Sequence, residues 1–225
     1  MADTSDDSRP LTGKGRETRQ RIVDAAADLV FERGVVGVSL DDVLRATGTS
    51  KSQLYHYFDD KNDLIHAVIE RQREHVLTFH RPAFQTLSSW DDIQSWRNMI
   101  VETQAARACR YGCPLGSLVN ELAELDEFAR TQLSLAFATW EQILADGLAG
   151  MVEAGKLRAD ANTGDLALSV IASLQGGLLL AEMDRSTRPL EVALDAAIAH
   201  LKSFAPSRAE SPSGTRRTNQ PRRVT

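Results

Sequence analysis

The stretch from Ser39 to Lys61, SLDDVLRATGTSKSQLYHYFDDK, constrains this chain more than any other. It reads as two short helices on either side of a tight turn. Ser39 precedes an apolar rhythm and Asp42 follows three residues later. That is the serine–acid spacing of a helix N-terminus, where both side chains satisfy free backbone N–H groups. Val43, Leu44 and Ala46 are expected on the buried side of this helix. Thr47-Gly48-Thr49 ends it, because glycine enters the left-handed region that a Cβ opposes. A second helix begins near Ser50, with Leu54 and Phe58 turned inward at i and i+4. Thr49, Ser50, Lys51, Ser52, Gln53, Tyr55, His56 and Tyr57 remain outside, a cationic, amide and aromatic surface with the chemistry to lie in a DNA major groove.

The run TSKSQLYHYFDDKNDLI resembles the helix-turn-helix signature of the TetR family of bacterial transcriptional regulators, over roughly the first third of the chain. Its LYHYF core followed by a lysine is more diagnostic than a generic helix-turn-helix. Ser52 and Gln53 stand where the family usually carries small residues, a departure that bears on the operator sequence and not on the fold. The resemblance implies an all-α regulator that binds a palindromic operator in double-stranded DNA as a homodimer. It also implies release by a small-molecule effector bound in a larger helical domain. Lys61 would then clamp a phosphate at the start of a fourth helix linking the DNA head to the body.

Charge is compatible with that reading once its distribution is considered. The net charge of −5 over 225 residues looks wrong for a DNA binder. From Lys14 to Lys61, however, eight basic residues are matched by eight acids, and the acid excess lies further along. A neutral head on an acidic body still permits a local positive face, with weak non-specific binding that fades as salt rises. No apolar run approaches the ~20 residues that span a bilayer, and the polar start MADTSDDSRPLTGKG lacks a secretory segment. A cytoplasmic protein without membrane contact is expected. Enzyme chemistry is not: no phosphate-binding glycine loop, nucleophile–base pattern or paired carboxylate setting is found, and no cofactor is implied.

Composition sets off a disordered arm over 1–15 and a disordered basic tail over 206–225; between them lie the helix-turn-helix domain over 16–61 and a helical domain over 62–205, for which the resemblance implies effector binding and dimerisation. A first helix from about Glu17 carries Ile22, Ala25, Ala26, Leu29 and Val30 on one face and closes at Gly34. Thr18, near its start, and Ser39, Tyr55, Tyr57 and Lys61 are the expected phosphate contacts; Lys51, Ser52, Gln53 and His56 are the expected base readers, lysine suiting guanine and glutamine suiting adenine.

The body reads as helices throughout. Its last two are rich in small residues, among them Ala172, Gly176, Gly177, Ala196 and Ala197, so that two copies can approach closely; in the resembled family this pair builds a four-helix dimer interface. Trp96, Met99, Phe137 and Trp140, with Gln104, Asn120 and Gln175, are candidate linings for a mainly apolar or aromatic effector. Cys109 and Cys113 have neither CxxC nor zinc-site spacing. An alternative is a thiol-based redox or electrophile sensor in which Arg107, Arg110 and the following helix start favour a thiolate. Another is a helical small-molecule-binding module with little DNA specificity. His56, His66, His75, His80 and His200 form no metal cluster by spacing, and His75 and His80 are expected to face solvent.

Overall fold

The computed structural model describes residues 12–206, so most of the expected arm and tail lies outside the described residues. Within that range every regular element is helical: α1 (Gly13–Arg33), α2 (Leu40–Thr47), α3 (Lys51–Tyr55), α4 (Lys61–Gln85), α5 (Trp90–Ala106), α6 (Pro114–Leu122), α7 (Glu127–Glu153), α8 (Thr163–Asp184) and α9 (Arg188–Lys202). α1 begins earlier than composition suggests. The Thr12 hydroxyl accepts from Gly15 N at 3.1 Å, so Gly13 to Gly15, assigned to the arm, form the first helical turn. A single side-chain cap on a helix already propagated downstream outweighs the low propensity of two glycines.

The head is built as its punctuation requires. Ser39 and Asp42 form a reciprocal capping box at α2, and Ser50 and Gln53 form another at α3. Gly48 closes α2 in the left-handed region at φ 65°. Ile22, Ala26 and Val30 of α1 are buried, as are Val43, Leu54 and Phe58. Ala46, expected inside, is exposed, because Val43 with half-buried Leu44 and Thr47 completes the inward side of so short a helix.

α4 joins head to body without a break. Arg71 Nε pairs with Asp24 of α1 at 2.5 Å, and buried Gln72 donates to the Ala27 carbonyl at 3.2 Å. Further along, His80 reaches Trp140 of α7 with ring centroids 4.4 Å apart. α4 and α7 pass so closely that a Cβ on Gly147 would stand 2.7 Å from the Phe84 carbonyl oxygen. α8 and α9 pack against each other in the same manner: a Cβ on Gly177 would lie 3.0 Å from Leu190 Cα. Gly177, Ala167, Ala181 and Ala197 are therefore spent on packing within the chain, while Ala172, Gly176, Ala196 and Ala199 stay exposed.

α8 also corrects the estimate of apolar length. At 22 residues and mean hydropathy 1.6 it is long and apolar enough to cross a membrane, and only 44% of its apolar window is buried. Exposed large apolar side chains on this helix are Leu168, Leu179, Leu180 and Met183.

Candidate functional site

Two regions carry chemistry, the outer face of α3 and a pair of cavities in the body. On α3, fully buried Leu54 and Phe58 pin the short helix down, leaving Lys51, Ser52, Gln53, Tyr55 and His56 exposed. Tyr57 is half-buried with its ring 4.9 Å from that of His56. Ser50 is exposed but committed as the N-cap. Gln53 is committed too: its Oε1 accepts from Ser50 N at 3.0 Å, so only the amide N–H₂ is free to meet a base edge while the cap holds. Thr49 does not belong to this face. It is 7% exposed and its hydroxyl is engaged by that of Thr47, because the turn after Gly48 folds the side chain back beneath α2.

Thr18 donates its hydroxyl to the Lys14 carbonyl at 3.0 Å, a bond internal to α1. Ser39 is exposed, and its hydroxyl and backbone N–H, together with Arg45, hold the Asp42 carboxyl down at about 2. Lys61, expected on a phosphate, donates one ammonium proton to the Val35 carbonyl at 2.6 Å. The Val35 N–H in turn donates to Glu121 Oε2 of α6 at 2.7 Å. Val35, in the loop between α1 and α2, is thus held on one side by the linking helix and on the other by the body. Gly34 makes room for this: its φ is 73°, and a Cβ there would stand 2.9 Å from Glu121 Oε2.

A second junction is the segment after α5. Ala108 (φ 50°), Cys109 (φ 52°) and Tyr111 (φ 71°) adopt left-handed conformations without being glycine, at a cost of about 1 kcal/mol or more each. Surrounding contacts enforce them: Cys109 N donates to the Gln104 carbonyl at 2.8 Å, Arg185 to the Cys109 carbonyl at 3.2 Å, and Tyr111 N to Glu182 Oε1 at 3.1 Å. Arg107 stacks over Phe31 of α1 at 5.6 Å, and Tyr111 meets the same ring at 5.4 Å. This segment therefore touches the head, α8 and the cavities at once.

The inner cavity, about 60 Å³, is lined by Phe79, His80 and Trp140 with Thr103, Gln104 and Arg107. The outer one, about 500 Å³, is lined by Asn120, Leu133, Phe137 and Gln175 among others. Gly112, Cys113 and Leu178 line both, so the two are neighbours across the start of α6. Five of the expected effector residues thus fall on cavity walls. Trp96 and Met99 lie outside these two: Trp96 lines only a separate apolar void of about 10 Å³. Trp96 is a 4% exposed core residue whose indole N–H donates to His80 Nδ1 at 3.1 Å, and half-buried Met99 packs against the core.

His80 is the residue that sequence reasoning misplaced. It is 6% exposed, not solvent-facing, and burial holds its ring neutral by pushing its pKa down to about 3. The signal was present: Ile65, Ile69, Gln72, Val76, His80 and Phe84 recur at helical spacing along α4, and the stripe was not followed through its polar members. His75, as expected, is exposed. Both cysteines are free and buried. Burial pushes the Cys113 thiol up, overriding the neighbouring arginines and helix start that were expected to favour a thiolate.

Comparison with known proteins accords with this geometry. Residues 22–68 match the family model described as bacterial regulatory proteins, tetR family. Residues 90–196 match the C-terminal domain of LmrA/YxaF-like transcriptional regulators. An HTH-type transcriptional regulator of the lacX 3' region of Lactococcus lactis subsp. lactis is 31% identical over 188 residues, covering 80% of this chain and 91% of that protein. The HTH-type transcriptional repressor DhaR of Mycobacterium sp. strain GP1 is 27% identical, covering 77% of this chain and 86% of its own. Among solved structures, the regulatory protein TetR from Rhodobacter sphaeroides superposes with a TM-score of 0.73 at 26% identity, covering 81% of this chain and 98% of that one. The head, the helical body and these relatives agree: the chain belongs to the TetR family and is a helix-turn-helix, DNA-binding transcriptional regulator.

Proposed function

We propose that the protein is a repressor that binds a palindromic operator as a homodimer and is released when a small, mainly apolar or aromatic effector enters the body. The observation that carries this is the connection of an exposed, polar reading face on α3 to a cavity-bearing body through ties at Val35 and Phe31. Lys51, Ser52 and His56 read bases, joined by the free amide of Gln53. Tyr55, Tyr57, Thr18 and Ser39 meet phosphates with the Lys61 protons not used on Val35. The relative DhaR is named a repressor, which supports the sign of regulation.

The homodimer rests on the open apolar stripe of α8, Leu168, Leu179, Leu180 and Met183, beside Val192 of α9. A patch of this kind marks a protein contact, and two-fold pairing sets two reading helices about one helical turn apart, ~34–36 Å. Effector binding changes that separation by moving α4, and α6 with its Glu121 tie adds a second route to the head.

Selection of bound fragments from sheared genomic DNA at moderate and raised salt tests the reading. The expected product is a palindrome of two half-sites. Replacing Lys51 and Gln53 with alanine should then weaken binding to that site by about tenfold or more, at 1–3 kcal/mol per lost base contact. Recovery of only random fragments that wash off with salt, or unchanged binding by the double variant, would overturn the assignment of α3.

A further inference from the structure

Two buried donors border the cavities without a full hydrogen bond. Trp140 Nε1, on a side chain 1% exposed, has no acceptor among the described residues, and the buried Gln175 Nε2 has no partner beyond the weak acceptor offered by the Cys113 sulfur. Trp140 lines the inner cavity and Gln175 the outer one, on either side of Cys113 and Gly112. Buried polar groups are overwhelmingly paired, and an orphan N–H carries its full desolvation cost.

A third donor follows from the tautomer of His80. Its Nδ1 accepts from the Trp96 indole, and burial keeps the ring neutral, so the proton sits on Nε2. His80 lines the same inner cavity as Trp140. The hydroxyl nearby is already used: Thr103 donates to the Met99 carbonyl at 2.7 Å. Around these donors stand the rings of Phe79, His80, Trp140 and Phe137, with Trp140 between His80 at 4.4 Å and Phe137 at 5.9 Å.

We propose that the effector is an uncharged aromatic carbonyl compound, its ring in the outer cavity against Phe137 and its oxygen directed at the boundary of the two cavities, where the Trp140 indole and the Gln175 amide offer their N–H groups. The proposal rests on the effector-binding reading above and names its ligand class. An acceptor oxygen gives the unpaired Trp140 N–H, or the weakly paired Gln175 N–H, the partner that no hydrocarbon can supply. Arg107 lines the inner cavity and Arg130 the outer one, but the first is stacked over Phe31 and the second is held by Glu127, so a carboxylate entering this mainly apolar wall would lack a full set of partners and is disfavoured. The outer cavity adds the Glu182 carboxylate to its lining.

Tryptophan fluorescence and calorimetric titration of the full-length protein test this with isosteric pairs: acetophenone against ethylbenzene, and 2-acetonaphthone against 2-ethylnaphthalene, with benzoate as the charged probe. Each ketone is expected to bind about tenfold or more tightly than its hydrocarbon, the worth of one to two satisfied buried donors. That advantage should shrink severalfold in Trp140→Phe, which keeps a ring, and independently in Gln175→Leu, so that one folded variant suffices. Far-UV circular dichroism establishes which variants fold. Equal binding of ketone and hydrocarbon would overturn the acceptor proposal while leaving an apolar-effector protein in place, as would benzoate binding tighter than acetophenone. No binding by any probe at millimolar concentration would overturn the effector reading itself.

Discussion

Trp96 and Trp140 are both buried beside His80, yet their indole N–H groups stand in opposite situations: one donates to His80 Nδ1 and the other has no acceptor. Replacing either with phenylalanine removes the same ring volume, so their difference isolates the N–H. Trp96→Phe should be less stable than Trp140→Phe by about 1–3 kcal/mol in urea denaturation, the cost of leaving a buried acceptor unpaired; equal losses would refute the bond. The depressed pKa of His80 gives a pH prediction with a definite sign. The unfolded imidazole takes up a proton below its ordinary 6.5, whereas the folded one stays neutral down to about 3. Stability owed to this residue is unchanged above pH 6.5 and is lost at about 1.4 kcal/mol per pH unit through the window from 6.5 to 3. His80→Gln should flatten that part of the wild-type profile. A variant profile parallel to the wild type would show that His80 titrates normally.

α6 owes its importance to what its two ends touch. Its first residues, following Cys113, border both cavities, and Glu121 near its far end holds the Val35 N–H in the loop between α1 and α2. A helix of nine residues can transmit displacement along its length with little bending, so under the proposed mechanism α6 is a route by which a change at the cavity would reach the head. The tie can be probed without a ligand. Glu121→Ala removes a charge-assisted bond of about 1.5–3 kcal/mol, so hydrogen exchange at the Val35 amide should accelerate about tenfold or more while the buried amides of α7 keep their protection. Unchanged exchange at Val35 would mean that the loop is held by Lys61 and local packing alone. The adjoining segment from Ala108 to Gly112, strained and tied to Phe31, Glu182 and Arg185, is the second element at which head and body share an arrangement.

At the scale of the whole molecule, the open surface of α8 is where the proposed two-fold contact is tested. Leu179 and Met183 are 60% and 69% exposed on a helix apolar enough to pass for a membrane span. Charge placed there costs nothing within one chain and much within a dimer. Leu179→Glu with Met183→Glu should leave the helical content unchanged, convert a sedimenting dimer to a monomer and weaken operator binding by at least about tenfold, since each half-site loses its partner. A variant that stays dimeric would place the two-fold contact elsewhere.

Local rules were enough to read much of this protein. The capping boxes at Ser39 and Ser50, the left-handed Gly48, the inward Leu54 and Phe58 and the helical body all depend on neighbours within a few residues, and one sequence contains those neighbours. The exposure of Lys51, Ser52, Gln53, Tyr55 and His56 on α3 was legible for the same reason. What separate helices do to one another was not. Tertiary packing put Lys61 and Glu121 on the two sides of Val35, turned His80 inward beside Trp96, and kept Trp96 and Met99 off the walls of the two main cavities. It also raised the Cys113 thiol by desolvation, against what adjacent arginines suggest. These outcomes join residues sixteen to eighty-six positions apart or depend on exclusion of water. A periodicity shows which face of a helix is buried; only the assembled helices determine what that face meets and which of its polar atoms remain unpaired.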